Sequence, residues 1–159
     1  MIKKLIAVLM TLSLLFAACA ASADMEIPEW KDMPMAVMED DETQIDEAAF
    51  AGEWVLKVAF AGTDYVSEAS LFDDYGINFM PYIIGDGLIK QDYQQENGEF
   101  ITVEMPYEFE AGQLQGEDFY GKSFAADLLE DGNIVLSVFY PGEDDSVVCL
   151  SLFLEHPAE

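Results

Sequence analysis

From Gly52 onward, apolar and polar positions alternate in short runs separated by glycine-containing turns. A period of two marks strands with one dry and one wet face. Residues 52–60, GEWVLKVAF, read as a first strand with Trp54, Leu56, Val58 and Phe60 on one face. Residues 67–75, SEASLFDDY, break the period and read as a short helix or an irregular excursion. Residues 77–84, INFMPYII, and 88–93, LIKQDY, flank Gly85-Asp86-Gly87, a hairpin signal because such residues tolerate the positive φ of a tight turn. The next run is the clearest. Ile101, Val103, Met105, Tyr107, Phe109 and Ala111 alternate with Thr102, Glu104, Pro106, Glu108 and Glu110. Pro106 has no N–H for a central ladder, so a bend, bulge or break is expected there. Ala111-Gly112 then turns the chain into residues 113–118.

The last third predicts a meander. Residues 123–130 and 133–140 meet across Asp131-Gly132, and PGEDD, 141–145, turns the chain into 146–155. The expected fold class is all-β: an antiparallel meander of about eight strands. Closing such a meander into a barrel removes its exposed edges. The final strand is apolar on both sides, with Val147, Cys149 and Phe153 on one face and Val148, Leu150, Leu152 and Leu154 on the other. Something must cover the second face: the segment before Phe50, the 67–75 excursion or another protein. The inward-facing candidates are Trp54, Leu56, Phe79, Ile101, Val103, Met105, Tyr107, Phe109, Leu136 and Val138. An eight-strand barrel is wide enough either to be filled by its own side chains or to hold one small ligand, and these bulky residues suit both outcomes.

The residues before the meander have a different character. Lys3 and Lys4 precede an apolar run from Leu5 to Phe16 and then small residues, the layout of an export signal. The run is short of the ~20 apolar residues that a spanning helix needs. Two cuts are open. Ala21-Ser22-Ala23 before Asp24 fits ordinary signal cleavage, giving a leader of 1–23. Phe16-Ala17-Ala18-Cys19 resembles the lipobox of bacterial lipoproteins, which implies a leader of 1–18 and lipid on Cys19. The first cut implies a secreted or periplasmic protein. The second implies an anchor on the outer side of the cell membrane, firm if two or more acyl chains are added. Either way Cys149 keeps no cysteine partner and is expected to be a buried small apolar residue. Residues 24–49, with Pro28, Pro34 and a run of acids up to Glu47, read as an acidic, Met-rich linker. It is expected to be a flexible tether ending in a short helical turn near 46–50, with the barrel domain spanning 50–159. Met33, Met35 and Met38 raise a thioether copper(I) site, but soft sites recruit more Met, Cys or His nearby, so no metal is expected.

Charge narrows the partners. Only Lys31, Lys57, Lys90 and Lys122 lie beyond the leader, arginine is absent, and 32 acidic residues oppose them. Nucleic acid is excluded, because binding it requires Lys and Arg to replace condensed counterions. Anionic lipid and anionic ligands are disfavoured too. A small apolar molecule, neutral or cationic, or a basic partner protein remains, and the charge favours a soluble monomer.

Gly52-Glu53-Trp54, a G-x-W at the start of the first strand and just after a helical turn, followed by the meander, resembles the lipocalin-like domains of small exported bacterial proteins. The resemblance covers roughly residues 50–155. It implies that Trp54 plugs the closed end of a barrel, beneath a basic residue, and that the open end takes a small hydrophobic molecule. The ligand-binding residues it implies are Trp54, Leu56, Phe79, Val103, Met105, Tyr107, Phe109 and Leu136. The family's basic residue is usually arginine, which this chain lacks. No catalytic residue and no cofactor is expected. His156 is the sole histidine, and Pro157 ends any strand beside it, so it reads as a frayed terminal residue. No zincin, nucleophile-elbow, phosphate-loop or EF-hand motif is present. Glu143-Asp144-Asp145 and Asp73-Asp74 read as solvated acidic turns rather than calcium sites. The alternative to a carrier is a non-catalytic cell-surface interaction module with a filled barrel.

Overall fold

A computed structural model describes residues 27–39, 43–95, 97–142 and 146–158. The leader with Cys19 and the acidic turn Glu143-Asp144-Asp145 lie outside the described residues.

Nine strands follow in order: β1 Gly52–Ala61, β2 Asp64–Tyr65, β3 Tyr82–Gly85, β4 Leu88–Gln94, β5 Phe100–Glu110, β6 Gln113–Glu117, β7 Ser123–Leu128, β8 Ile134–Pro141 and β9 Val147–Glu155. One α-helix, α1 Glu68–Tyr75, interrupts them after β2. Each strand from β3 to β9 pairs antiparallel with the next, β1 pairs with β3, and β9 returns to pair with β1. Eight strands therefore close into a barrel, and the two-residue β2 is a short addition on the end of β1. Closure leaves the eight ladders without a free edge, as the short-turn meander implied.

The tight turns carry the predicted chemistry. Asp86 and Gly87 have φ of 53° and 74°, and Ala111 and Gly112 have φ of 50° and 75°. These are the paired left-handed residues of a two-residue hairpin loop. Pro106, in contrast, does not break its strand. β5 runs on from Phe100 to Glu110 and pairs with β4 as far as Pro106 and with β6 from Tyr107. Proline sits at the handover between two partners, so its missing N–H leaves no ladder bond unmade. Gly116 makes the crossing possible: a Cβ there would lie 2.4 Å from the Pro106 carbonyl oxygen and 2.8 Å from the Phe124 ring. The stretch 77–81 is not strand; β3 begins only at Tyr82.

The strand-one face also differs from the expected pattern. The β1–β9 register shifts between Leu56 and Val58, with Leu56 opposite Leu154 and Val58 opposite Phe153. A bulge at Lys57 inserts one residue and reverses the facing of everything after it. Trp54, Leu56 and Ala59 join the main core, whereas Val58 and Phe60 point outward and cluster with Leu129, Val135 and Phe153. That outer cluster is the second apolar face noted for the last strands. It is covered from within the chain. Met33 and Ala36 pack against it, and the Trp30 ring meets Phe60 and Phe153 edge-on at 5.4 and 5.7 Å. Backbone bonds fix the strap: Val37 N–H to Leu128 O at 2.8 Å and Glu130 N–H to Met35 O at 3.0 Å. Residues 30–37 are thus docked rather than a free tether, because three adjacent strands offer an apolar surface that water would otherwise meet. Cys149, on the same outer face, is half-buried rather than buried, with Sγ 3.6 Å from Ser151 Oγ.

The end holding the β3–β4, β5–β6 and β7–β8 turns is sealed. A 3-10 turn, Glu47–Phe50, is capped by Asp46, whose carboxylate accepts from Ala48 N–H at 3.0 Å. Phe50 and Trp54 are completely buried, and Trp54 Nε1 donates to Phe50 O at 2.8 Å. His156 is not frayed. Its ring stacks on Trp54, and Nδ1 lies 3.0 Å from Glu53 O. The base over the tryptophan is thus a histidine from the segment just after β9. Gly52 admits it: its φ is +132°, and a Cβ would stand 3.4 Å from His156 Cε1.

Candidate functional site

The opposite end of the barrel is open, and there the interior continues into a cavity of about 240 Å³. Helix α1 stands beside this mouth. Ser67 caps it, its Oγ accepting from Ser70 N–H at 3.3 Å, and Gly76 ends it with φ of 69°, its N–H bonded to Phe72 O. Leu71 buries one side of the helix in the core, and residues 76–78 then pass along the cavity as one wall. The other walls come from inward positions of β4, β5 and β8, from Tyr82 and Phe124, and from the β6–β7 turn, Asp118 to Tyr120.

The surface is mainly hydrocarbon. Ile89 and Phe124 are buried beside Met105, Leu136 and Val138, with Ile101 and Val103 nearer the mouth. Polar groups are few and bonded. Gln91, itself buried, donates from Nε2 to Met80 O at 2.7 Å, and its side chain also bonds the Tyr82 hydroxyl. Burial drives the Tyr82 phenol well above its ordinary range, so it stays neutral. Among the described residues, no buried side-chain nitrogen or oxygen lacks a partner.

The mouth is aromatic. Tyr120 and Tyr93 hydroxyls bond each other, and burial, then that bond, raises Tyr120. Tyr140 donates to Tyr75 O at 3.3 Å and meets the Tyr75 ring edge-on at 5.3 Å. Its phenol is pushed up to about 12, first by burial and then by the negative charge of Asp118. Among the described residues Asp118 is the sole charged residue lining the cavity. Its carboxylate Oδ1 accepts from the N–H groups of Tyr120 and Lys122 at 2.9 and 2.8 Å, which fixes the turn and hence the carboxylate. Lys122 extends over the rings, its ammonium 4.0 Å from the Tyr140 centroid and 5.2 Å from that of Tyr120.

Of the residues named from the sequence, Val103, Met105 and Leu136 lie in the cavity wall, as do Ile101 and Val138. The others lie elsewhere. Trp54 is at the sealed end, and Leu56 packs on the main core. Phe109 meets Phe50 at 6.2 Å, and Tyr107 donates to Glu47 Oε1 at 2.9 Å, both near the sealed end. They share the inward face of β5 with Val103 but sit further along it. Phe79 is 42% exposed and lines a shallow depression beside Phe72 and Phe100, outside the cavity. It misses the interior because the chain is not yet strand at that point.

No family model, curated protein or solved structure matches this chain.

The wall residues missed from the sequence include Tyr82, Ile89, Gln91, Tyr93, Phe124 and the 118–120 turn. For the first four a signal existed. The two-residue turn sets Tyr82 opposite Gln91 and Ile84 opposite Ile89, which places all four on one face with Tyr93. The 118–120 turn carried none, since a turn's aim depends on the strands that hold it. Among the described residues, no group of three or more His, Cys, Asp or Glu is placed to hold an ion. Met35 and Met38 are exposed while Met33 packs under the strap.

Proposed function

We propose that this chain is a non-catalytic, exported and lipid-anchored barrel of lipocalin-like type that takes up a small apolar molecule, neutral or cationic. The observation that carries this reading is the open-ended apolar cavity. Its floor is the packed core, its walls are the side chains of Ile89, Met105, Phe124 and Leu136, and its volume is about 240 Å³. That is far above the ~10–15 Å³ needed for one water and below the ~300–1,000 Å³ of drug-sized pockets. A ligand of a few to about ten heavy atoms is the natural occupant.

The export and anchoring rest on the leader and on Cys19, with the anchor placing the barrel on the outer side of the cell membrane. An intact mass of the mature protein tests them: a diacylglyceryl cysteine at 19 supports the anchor, and an unmodified Asp24 start overturns it. Ligand uptake is tested by carbon-13 methyl-methionine NMR during titration with 1-hexanol. A saturable shift of the Met105 methyl, abolished by Val103→Trp, supports the carrier. A Met105 signal that never moves overturns it.

A second reading, an interaction module, is favoured by the exposed aromatics around the same mouth, Phe72, Phe100 and Phe119, each more than half accessible. Its partner would be a basic protein, by charge. Stable recovery of one such partner, lost in Phe72→Ser and Phe100→Ser, which lie outside the cavity, with hexanol uptake unaltered, would separate it from the carrier.

A further inference from the structure

We propose that the cavity selects amphiphilic amines, with the apolar tail against Met105 and Leu136 and the ammonium held at the mouth by Asp118. The inference rests on the carrier reading and narrows it to one ligand class. Three features of the mouth point the same way.

Among the described residues Asp118 is the sole acidic or basic side chain in the lining, and it stands where the hydrocarbon wall meets the entrance. Two backbone N–H bonds hold its carboxylate in place before any ligand arrives. One oxygen takes both of these bonds, which leaves the second oxygen for a ligand donor. Among the described residues the carboxylate enters no ion pair.

The groups around it suit a cation rather than an anion. Phe119, Tyr120 and Tyr93 line the cavity, and an aromatic ring face attracts an ammonium through its quadrupole. Lys122 supplies an internal precedent. Its ammonium already rests over Tyr140 and Tyr120 at this rim, so the rim accommodates a positive nitrogen beside aromatic carbon. Among the described residues neither Lys122 nor any other cation lines the cavity. A carboxylate ligand would meet Asp118 with no compensating charge inside.

The third feature is division of labour. Among the described residues every buried side-chain nitrogen and oxygen already has a partner, and the deep wall is mainly hydrocarbon, so a second charge on the far end of the ligand would be left unpaired. One charge at one end and a bare hydrocarbon at the other is what the site accommodates.

The test compares three probes of equal skeleton, hexylammonium, 1-hexanol and hexanoate, at constant ionic strength, following the Met105 methyl in the full mature protein. The expected order is hexylammonium about ten-fold tighter than hexanol, with hexanoate not bound. Asp118→Asn keeps the acceptor oxygen that organises the turn. It should bring the hexylammonium and hexanol affinities together, and an unaltered urea denaturation midpoint in the variant would show that the barrel is intact. Asp131→Asn, in the turn at the opposite end, removes the same unit of charge and should leave the ten-fold preference in place. Equal binding of hexylammonium and hexanol to the unaltered protein would overturn amine selection and leave the carrier reading standing. An equal loss of preference in both variants would trace it to the general acidic field and overturn the role of Asp118. Failure of all three probes to bind would overturn the carrier reading and, with it, this inference.

Discussion

The imidazole of His156 lies on the indole of Trp54 with ring centroids 3.8 Å apart and planes 26° from parallel. One residue begins the barrel and the other follows its last strand, so the stack ties β1 and β9 together at one end of their seam. The histidine is itself exposed, while the indole beneath it is completely buried. Its ring therefore serves as a lid whose outer side meets water. Replacing it removes both the stacked face and the bond to Glu53 O. His156→Ala is expected to cost about 1–3 kcal/mol, the sum of an aromatic pair and one hydrogen bond. In a Trp30→Phe background, where Trp54 is the only tryptophan, acrylamide quenching should rise markedly. An unchanged quenching constant would show that Trp54 is sealed without the histidine.

Gly116 is the tightest glycine of the barrel wall. A methyl group there meets the Pro106 carbonyl and the Phe124 ring at distances that no Cβ tolerates. Backbone on one side cannot yield without moving β5. Gly116→Ala is expected to lower stability by roughly 1–3 kcal/mol through overpacking, measured by urea denaturation. Gly62, whose Cβ would meet nothing within 4 Å, is the comparison, although its φ of 62° gives alanine some strain of its own.

The strap over the outer face is held chiefly by Trp30. Its ring meets both Phe60 and Phe153, and Phe153 meets Phe60 at 6.0 Å. Trp30→Ala breaks two edge-to-face pairs, worth about 1–3 kcal/mol together. It should also raise proteolysis between residues 30 and 37 and expose Phe153 to a hydrophobic dye. Undiminished resistance to protease in the variant would mean that the backbone bonds of Val37 and Glu130 hold the strap by themselves.

Alkaline pH should unfold the barrel from its open half. Burial holds Tyr82 above the ordinary phenol value, and it holds Tyr140 up at about 12. An acid with a higher value folded than unfolded contributes stability fully below the unfolded value, about 10. That contribution is lost as pH rises through the folded value. Stability should therefore be level up to about pH 10 and decline through about pH 12, with phenolate absorbance rising as structure is lost. Tyr140→Phe cannot ionise, so its alkaline midpoint should move upward. A midpoint that stays put would remove Tyr140 from the cause.

How far the cavity could be read in advance varies with the residue. Val103 and Met105 were legible because an eleven-residue strand alternates cleanly, and Leu136 because β8 does the same. Tyr107 and Phe109 share that face yet lie beyond the cavity floor. Alternation says which side of a strand a residue faces, but not how far along the barrel axis the interior stays empty. Phe79 failed for a different reason: an apolar residue before a proline resembled strand and is in fact loop. His156 was misjudged because proximity to Pro157 described its neighbours in the chain and not those in space.

The sequence by itself determined the strands, the tight turns at Asp86-Gly87 and Ala111-Gly112, and hence a meander whose edges close. These follow from local rules, a period of two and residues that accept positive φ, which need no partner to operate. Only the tertiary structure decided that Lys57 bulges and turns Phe60 outward, that Trp30 returns to cover it, that His156 lids Trp54, and that Asp118 stands at the mouth of a cavity. Each of these depends on groups far apart in the chain meeting in space, where register, leftover volume and the need to shield an apolar face from water are set by the closed barrel as a whole.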